Sequence, residues 1–211
     1  MTDLFKHEQD KYNSIHQYTG LHESQTGYGR QLNLLLNDSD KFHKIWQEEY
    51  SKGASILEVG LGSGEIVKHL HKEGVKYAGI DISDWVVKEL KKEGINAFHM
   101  SCHKIDMEND SYDIVQHLDG MEHVPVKWEL ETLKEELRVT SKWVFHANAM
   151  GTAHLDGISR QNGFDNVHIN IKTESEWKDF YESNKSLGYE IFHKENKNNT
   201  FKVVLKKNET T

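Results

Sequence analysis

A short apolar run that ends in spaced glycines constrains what this chain can fold into more than any other feature. In Ser55-Ile56-Leu57-Glu58-Val59-Gly60-Leu61-Gly62-Ser63-Gly64-Glu65-Ile66-Val67 the run Ile56 to Val59 stops at a glycine cluster, and an amphipathic segment starts straight afterwards. Such a pattern reads as a strand, a tight turn and a helix N-terminus. Glycine suits the turn because it accepts positive φ and lets a ligand approach the backbone closely. The first amides of the following helix have no partner within it and face the turn as donors. A dinucleotide turn reads G-x-G-x-x-G, so that pyrophosphate rests on the helix N-terminus. Here the spacing is G-x-G-x-G, and an acid, Glu58, stands two residues before the first glycine. A carboxylate at that place repels a pyrophosphate and favours a cationic ligand that carries no phosphate.

Glu58, Gly60, Gly62 and Gly64 match, residue by residue, the first motif (D/E)-x-G-x-G-x-G of the class I, Rossmann-like methyltransferases that depend on S-adenosylmethionine (SAM), and the chain resembles that family. SAM has an ammonium and a sulfonium and no phosphate, in keeping with the acid on the strand. A second stretch, Tyr112-Asp113-Ile114-Val115-Gln116 followed by His117-Leu118-Asp119-Gly120-Met121-Glu122-His123-Val124-Pro125, resembles the family's fourth motif, an FD-type strand running into an L-D-x-x-E-H-V-P loop. The resemblance covers residues 53 to 207. It implies an α/β, Rossmann-like three-layer sandwich whose seven-stranded, mostly parallel sheet closes with a C-terminal antiparallel hairpin. The expected organisation is a helical arm over residues 1–50 and one compact SAM-binding domain over residues 51–211.

Composition narrows the function classes. A chain of 211 residues with 36% hydrophobic content is long enough to bury a full core. No apolar run approaches the roughly 20 residues of a membrane span. The start, Met-Thr-Asp-Leu-Phe-Lys-His-Glu, does not read as a signal peptide, and a cytoplasmic setting is expected. The single Cys102 excludes an internal disulfide and a cysteine-based zinc cage. A net charge of −8 argues against general nucleic-acid binding, which relies on clustered Lys and Arg.

Along the chain, residues 1 to about 30 read as a polar helical arm with aromatic anchors at Phe5, Tyr12, Tyr18 and Tyr28. In the resembling family a segment before the first strand folds over the cofactor, which implies Tyr28 and Arg30 as contacts, Arg30 to the methionine carboxylate. Residues 31–50 read as helix, with a break at Asn37-Asp38-Ser39-Asp40. After the glycine turn a helix runs to about Lys72, and the second strand, Tyr77 to Asp81, closes on an acid. An acid closing the second strand is placed to accept both ribose hydroxyls, and Asp81 lies 17 residues past Gly64, close to the spacing for that role. Ser83 is the more natural cap of the next helix. Ile82 is then expected against the adenine. Where the family often has an Asp after the third strand, this chain has Ser101, so the adenine contacts implied are Ser101 and the Cys102 amide, with Asp106 as a fallback.

Gln116 and His117, at the end of the fourth strand, are expected beside the reactive methyl group, in the crevice where open α/β sheets bind ligands. Glu122-His123 reads more readily as a structural pair than a catalytic one. The next helix, about Val126 to Thr140, is expected to bury Trp128, Leu130, Leu133 and Leu137 and to keep a solvated acidic face. A fifth strand covers Trp143 to Ala147. The polar connection from Thr152 to Ile171 is too long to be idle and reads as a substrate-facing lid. A helix over Glu174 to Leu187 and two strands, residues 188–193 and 201–205, with a turn at Lys197-Asn198-Asn199, complete the chain.

Methyl transfer from a sulfonium is an in-line displacement in which the cofactor carries the reactivity and the protein aligns the acceptor. A hydroxyl or amine acceptor also needs a general base, and His is the natural choice. Of 14 His, position singles out His117, His168 and His146, the first two ahead of the third. No ligand spacing for a catalytic metal stands out. The acceptor expected is a small polar molecule: a sugar, lipid-linked sugar or metabolite. The alternatives are an RNA or protein methyltransferase, or a protein that binds or cleaves SAM without methyl transfer.

Overall fold

The computed structural model describes residues 3–19, 28–150 and 168–209. Three helices come first: α1 (Asp3–Thr19), α2 (Tyr28–Asn37) and α3 (Lys41–Ser51). The break between α2 and α3 falls where the sequence puts it, and Asp40 is its cause. In extended backbone, Asp40 accepts the His43 amide at 3.0 Å and so starts α3 as its N-cap. The apolar stripe is core: Leu35, Phe42 and Trp46 are fully buried, and Trp46 stacks on Tyr50.

The chain divides into two compact units, Met1–Asp106 and Met107–Thr211. The first carries β1 (Ile56–Val59), α4 (Glu65–Lys72), β2 (Tyr77–Asp81), α5 (Asp84–Lys92) and β3 (Ala97–His99) after the helices. Its strands are parallel, with Glu58 opposite Gly79 and Asp81 opposite His99. Every residue of β1 and β2 is buried, which is why both read as continuous apolar runs instead of alternating ones. Helix α1 docks on the start of α5 through one side chain: Asn13 Oδ1 accepts from Ser83 Oγ at 2.8 Å and from the Trp85 amide at 3.2 Å.

The second unit carries β4 (Tyr112–Leu118), a 3-10 turn (Met121–His123), α6 (Val126–Val139), β5 (Thr140–Ala149), α7 (Glu174–Ser183), a second 3-10 turn (Lys185–Leu187), β6 (Tyr189–Lys197) and β7 (Thr200–Lys207). Strand β5 starts three residues earlier than the sequence suggests. Thr140 makes the early start possible: its hydroxyl accepts the Lys142 and Trp143 amides at 3.2 and 3.1 Å, so the chain passes from α6 into strand without a loop. Helix α7 begins on a capping box, Thr173 with Glu176, and stops at Ser183 because its last turn tightens into the 3-10 segment. Asn198 and Asn199, at φ 54° and 60°, form the two-residue turn of the β6–β7 hairpin. Because Lys197 pairs with Thr200 directly beside that turn, both strands run longer than expected. The strands form one seven-stranded sheet in the order β3-β2-β1-β4-β5-β7-β6, with β7 antiparallel to β5 and β6. Among the described residues, no helix is long and apolar enough to cross a membrane.

Candidate active site

The glycine turn of the first unit is built for close approach. Gly60, Gly62 and Gly64 all have positive φ, at 77°, 52° and 79°. A Cβ at Gly64 would also lie 2.3 Å from Leu90 Cδ2, so the start of α4 packs against α5 only because this residue has no side chain. Gly64→Ala is therefore expected to destabilise the protein by about 2 kcal/mol, combining the left-handed backbone with overpacking. Urea denaturation checks this, and a midpoint equal to wild type would refute the tight packing.

Asp81 ties this turn to the end of β2. Its Oδ2 accepts the Leu61 amide at 2.8 Å and its Oδ1 accepts the Ser83 amide at 2.7 Å. Each carboxylate oxygen has capacity for a second donor. Ser83 is the cap of α5, as expected, accepting the Val86 amide at 3.3 Å. Glu58 is buried on β1, and the buried Ser63 hydroxyl in the turn has no hydrogen-bond partner among the described residues. The turn thus presents glycine backbone, a buried hydroxyl and the Asp81 carboxylate, a set that fits a nucleoside with a ribose diol.

The other residues singled out in this unit are placed as follows. Ile82 is half-buried directly after Asp81. Ser101 is buried, with its Oγ 2.5 Å from His103 Nδ1 in the turn that follows β3, a local contact that the sequence did not suggest. Cys102 is a half-buried free thiol, and Asp106 is exposed. Tyr28 and Arg30 open α2, and their side chains lie outside the described residues.

In the second unit Gln116 and His117 are buried near the end of β4. His117 Nδ1 lies 2.8 Å from Glu136 Oε1. Glu136 Oε2 lies 2.7 Å from His146 Nε2, and His146 Nδ1 lies 2.7 Å from the Tyr181 hydroxyl, to which Asn148 Nδ2 also donates at 2.9 Å. One proton arrangement satisfies all of these contacts. Asn148 donates to Tyr181, Tyr181 to His146, and the two imidazole N–H groups to the two oxygens of an ionised Glu136. Burial pushes the Glu136 carboxyl up, but His146 and His117 outweigh it and hold it at about 2. Two expectations are corrected here. Glu136 belongs to no solvated face of α6; it is completely buried because β4 and β5 present it with two histidines. His146 has both ring nitrogens in buried hydrogen bonds, which leaves neither for an acceptor's proton.

Glu122 occupies the 3-10 turn after β4 and is 1% exposed. Its Oε1 accepts the Ala149 amide at 3.1 Å, and its carbonyl accepts the Ile169 and Asn170 amides at 3.0 and 2.9 Å. Burial, then the charge of Asp119, push its carboxyl up to about 8. His168 stands against His123, with ring centroids 4.7 Å apart. Of the expected lid, residues 152–167 lie outside the described residues.

A methyltransferase-domain family model matches residues 28–169, two thirds of the chain, and the protein belongs to that family of enzymes. Solved structures share the fold. A Pyrococcus horikoshii OT3 protein is 18% identical and superposes with a TM-score of 0.68, covering 94% of this chain and 98% of its own. The magnesium protoporphyrin IX methyltransferase of Synechocystis PCC 6803, solved with S-adenosylhomocysteine, is 15% identical with a TM-score of 0.60, covering 97% and 98%. A SAM-dependent methyltransferase from Methanosarcina mazei is 18% identical with a TM-score of 0.55, covering 74% and 92%. No curated protein matches the chain.

Proposed function

We propose that this methyltransferase uses SAM and moves its methyl group to an oxygen or nitrogen of a small polar acceptor such as a sugar, a lipid-linked sugar or a metabolite. The observation that carries the cofactor assignment is the turn closed by Asp81, with Leu61 held at 2.8 Å. Asp81 binds the ribose diol, Glu58 faces the cationic amino-acid end, and the glycine backbone of residues 60–64 admits the ligand without a clash. Ile82, Ser101 and the Cys102 amide hold the adenine, and Gln116, Tyr28 and Arg30 complete the cofactor set. SAM, when bound, supplies an electrophilic methyl carbon on a sulfonium.

His117 takes the acceptor's proton. Glu136 accepts its Nδ1–H at 2.8 Å, which fixes the tautomer with Nε2 unprotonated, as a base requires. Gly120 packs against the same ring: a Cβ there would lie 2.1 Å from His117 Nε2, so only glycine fits beside it. The net charge of −8 and the polar connection after β5 support a small polar acceptor over a nucleic acid. The test is product analysis with labelled SAM and host extract. S-adenosylhomocysteine together with a labelled small molecule is the expected result. Label in RNA or protein would replace the acceptor class, and methylthioadenosine without a methylated product would replace the reaction.

A further inference from the structure

Glu122, His123 and His168 converge in the second unit, and methyl transfer as described above does not use them as a set. Each offers a ligand atom, and these atoms lie within 4.8 Å of one another. What brings them together is rigid backbone. The 3-10 turn closes through the His123 amide on the Gly120 carbonyl, and the Glu122 carbonyl receives the Ile169 and Asn170 amides. Asn170 Nδ2 is fixed in turn by Glu129 Oε2 at 2.8 Å, and Lys172 reaches the same oxygen at 2.8 Å. His168 is thereby pinned beside His123 from a distant part of the sequence, edge to face at 77°.

The decisive atom is Glu122 Oε2. It is buried and accepts no hydrogen bond among the described residues, although Oε1 has the Ala149 amide. A buried carboxylate oxygen without a donor is costly unless something cationic or protonated meets it. The other His–Glu–His group, His117–Glu136–His146, provides the contrast: both Glu136 oxygens are within 2.8 Å of an imidazole nitrogen, and that group is closed by its own protons.

We propose that Glu122 Oε2, His123 and His168 form a divalent-cation site. Two imidazoles and one carboxylate suit a borderline first-row ion, zinc or manganese, better than magnesium, which takes oxygen ligands. Three protein ligands leave positions open for oxygen donors. The acceptor is then one that presents a hydroxyl or carboxylate oxygen to the ion; that last step rests on the methyl-transfer reading, and the site itself does not. His168 becomes a ligand instead of a general base.

The test uses the full chain stripped with EDTA and titrated with Co²⁺, followed by visible absorption, and with Zn²⁺, Mn²⁺ and Mg²⁺ by calorimetry. One saturable site is expected, with the Co²⁺ spectrum of mixed nitrogen and oxygen ligation, and Zn²⁺ and Mn²⁺ binding more tightly than Mg²⁺. His168→Ala, at a half-buried position, and Glu122→Gln are each expected to weaken it by more than about 10-fold, the scale of even the outer partners of a bound metal. S-adenosylhomocysteine affinity, measured on the same samples without metal, reports separately on the cofactor assignment. An unchanged Co²⁺ spectrum and affinity in His168→Ala would overturn the proposal, assigning the binding to other histidines, and so would the absence of any saturable site in the wild-type chain.

Discussion

Glu136→Ala is expected to cost the protein about 3–5 kcal/mol of stability, a loss that few single substitutions reach. Glu136 and His146 are completely buried, and His117 nearly so, with both Glu136 oxygens accepting imidazole N–H groups at 2.7–2.8 Å. Truncation leaves two donors facing one another without an acceptor, at about 1–3 kcal/mol each, and adds a small cavity. Glu136→Gln should lose less, because the amide keeps one acceptor and His117 can change tautomer to meet its NH₂. The pH dependence has a definite sign. The Glu136 carboxyl sits at about 2 in the folded protein against an ordinary 4.5, so the stability it contributes is complete above pH 4.5 and is lost as pH falls through about 2. The gap between wild type and Glu136→Ala should therefore narrow as pH falls from about 4.5 towards 2. Urea midpoints across that range decide the matter; a neutral-pH loss below about 1 kcal/mol would mean that the network relaxes around the vacancy.

That network marks the limit of what the sequence discloses. The first unit was legible because its information is local. The three glycines of the turn, the acid at the end of β2 and the caps Asp40 and Ser83 each specify their own stretch of backbone, and the structure puts each where the spacing demands. Glu136 was misread because nothing within α6 distinguishes it from its exposed acidic neighbours such as Glu131. Only pairing with His117 and His146 makes it interior, and neither is visible from helical periodicity. The Tyr181 hydroxyl, 35 residues beyond His146, is the same kind of case. Glu122 could have been read: an acid in the fourth-motif loop beside a His, with a further His before the next helix, already carries metal-ligand residue types. What the chain order does not reveal is that the Glu122 carbonyl itself grips residues 169 and 170 and so draws His168 in.

Asp81→Ala is expected to weaken S-adenosylhomocysteine binding 100-fold or more while the protein stays folded. Hydrogen bonds to a charged group contribute about 1.5–3 kcal/mol each, so losing two ribose contacts removes at least about 3 kcal/mol, and about 2.7 kcal/mol already corresponds to 100-fold. The substitution also releases the Leu61 and Ser83 amides, which Asp81 holds at 2.8 and 2.7 Å. The cost in stability is about 2 kcal/mol if those amides find water. A domain with 5–15 kcal/mol to spare remains almost wholly native after such a loss, so partial unfolding cannot produce a 100-fold change in affinity. Loosening of the turn is separable from loss of direct contacts by comparison with Gly64→Ala, which strains the same turn and leaves the carboxylate in place. If calorimetry gives Gly64→Ala the larger loss of affinity, Asp81 acts by shaping the loop. If Asp81→Ala binds as wild type does, the carboxylate does not touch the ligand, and the ribose must be held elsewhere.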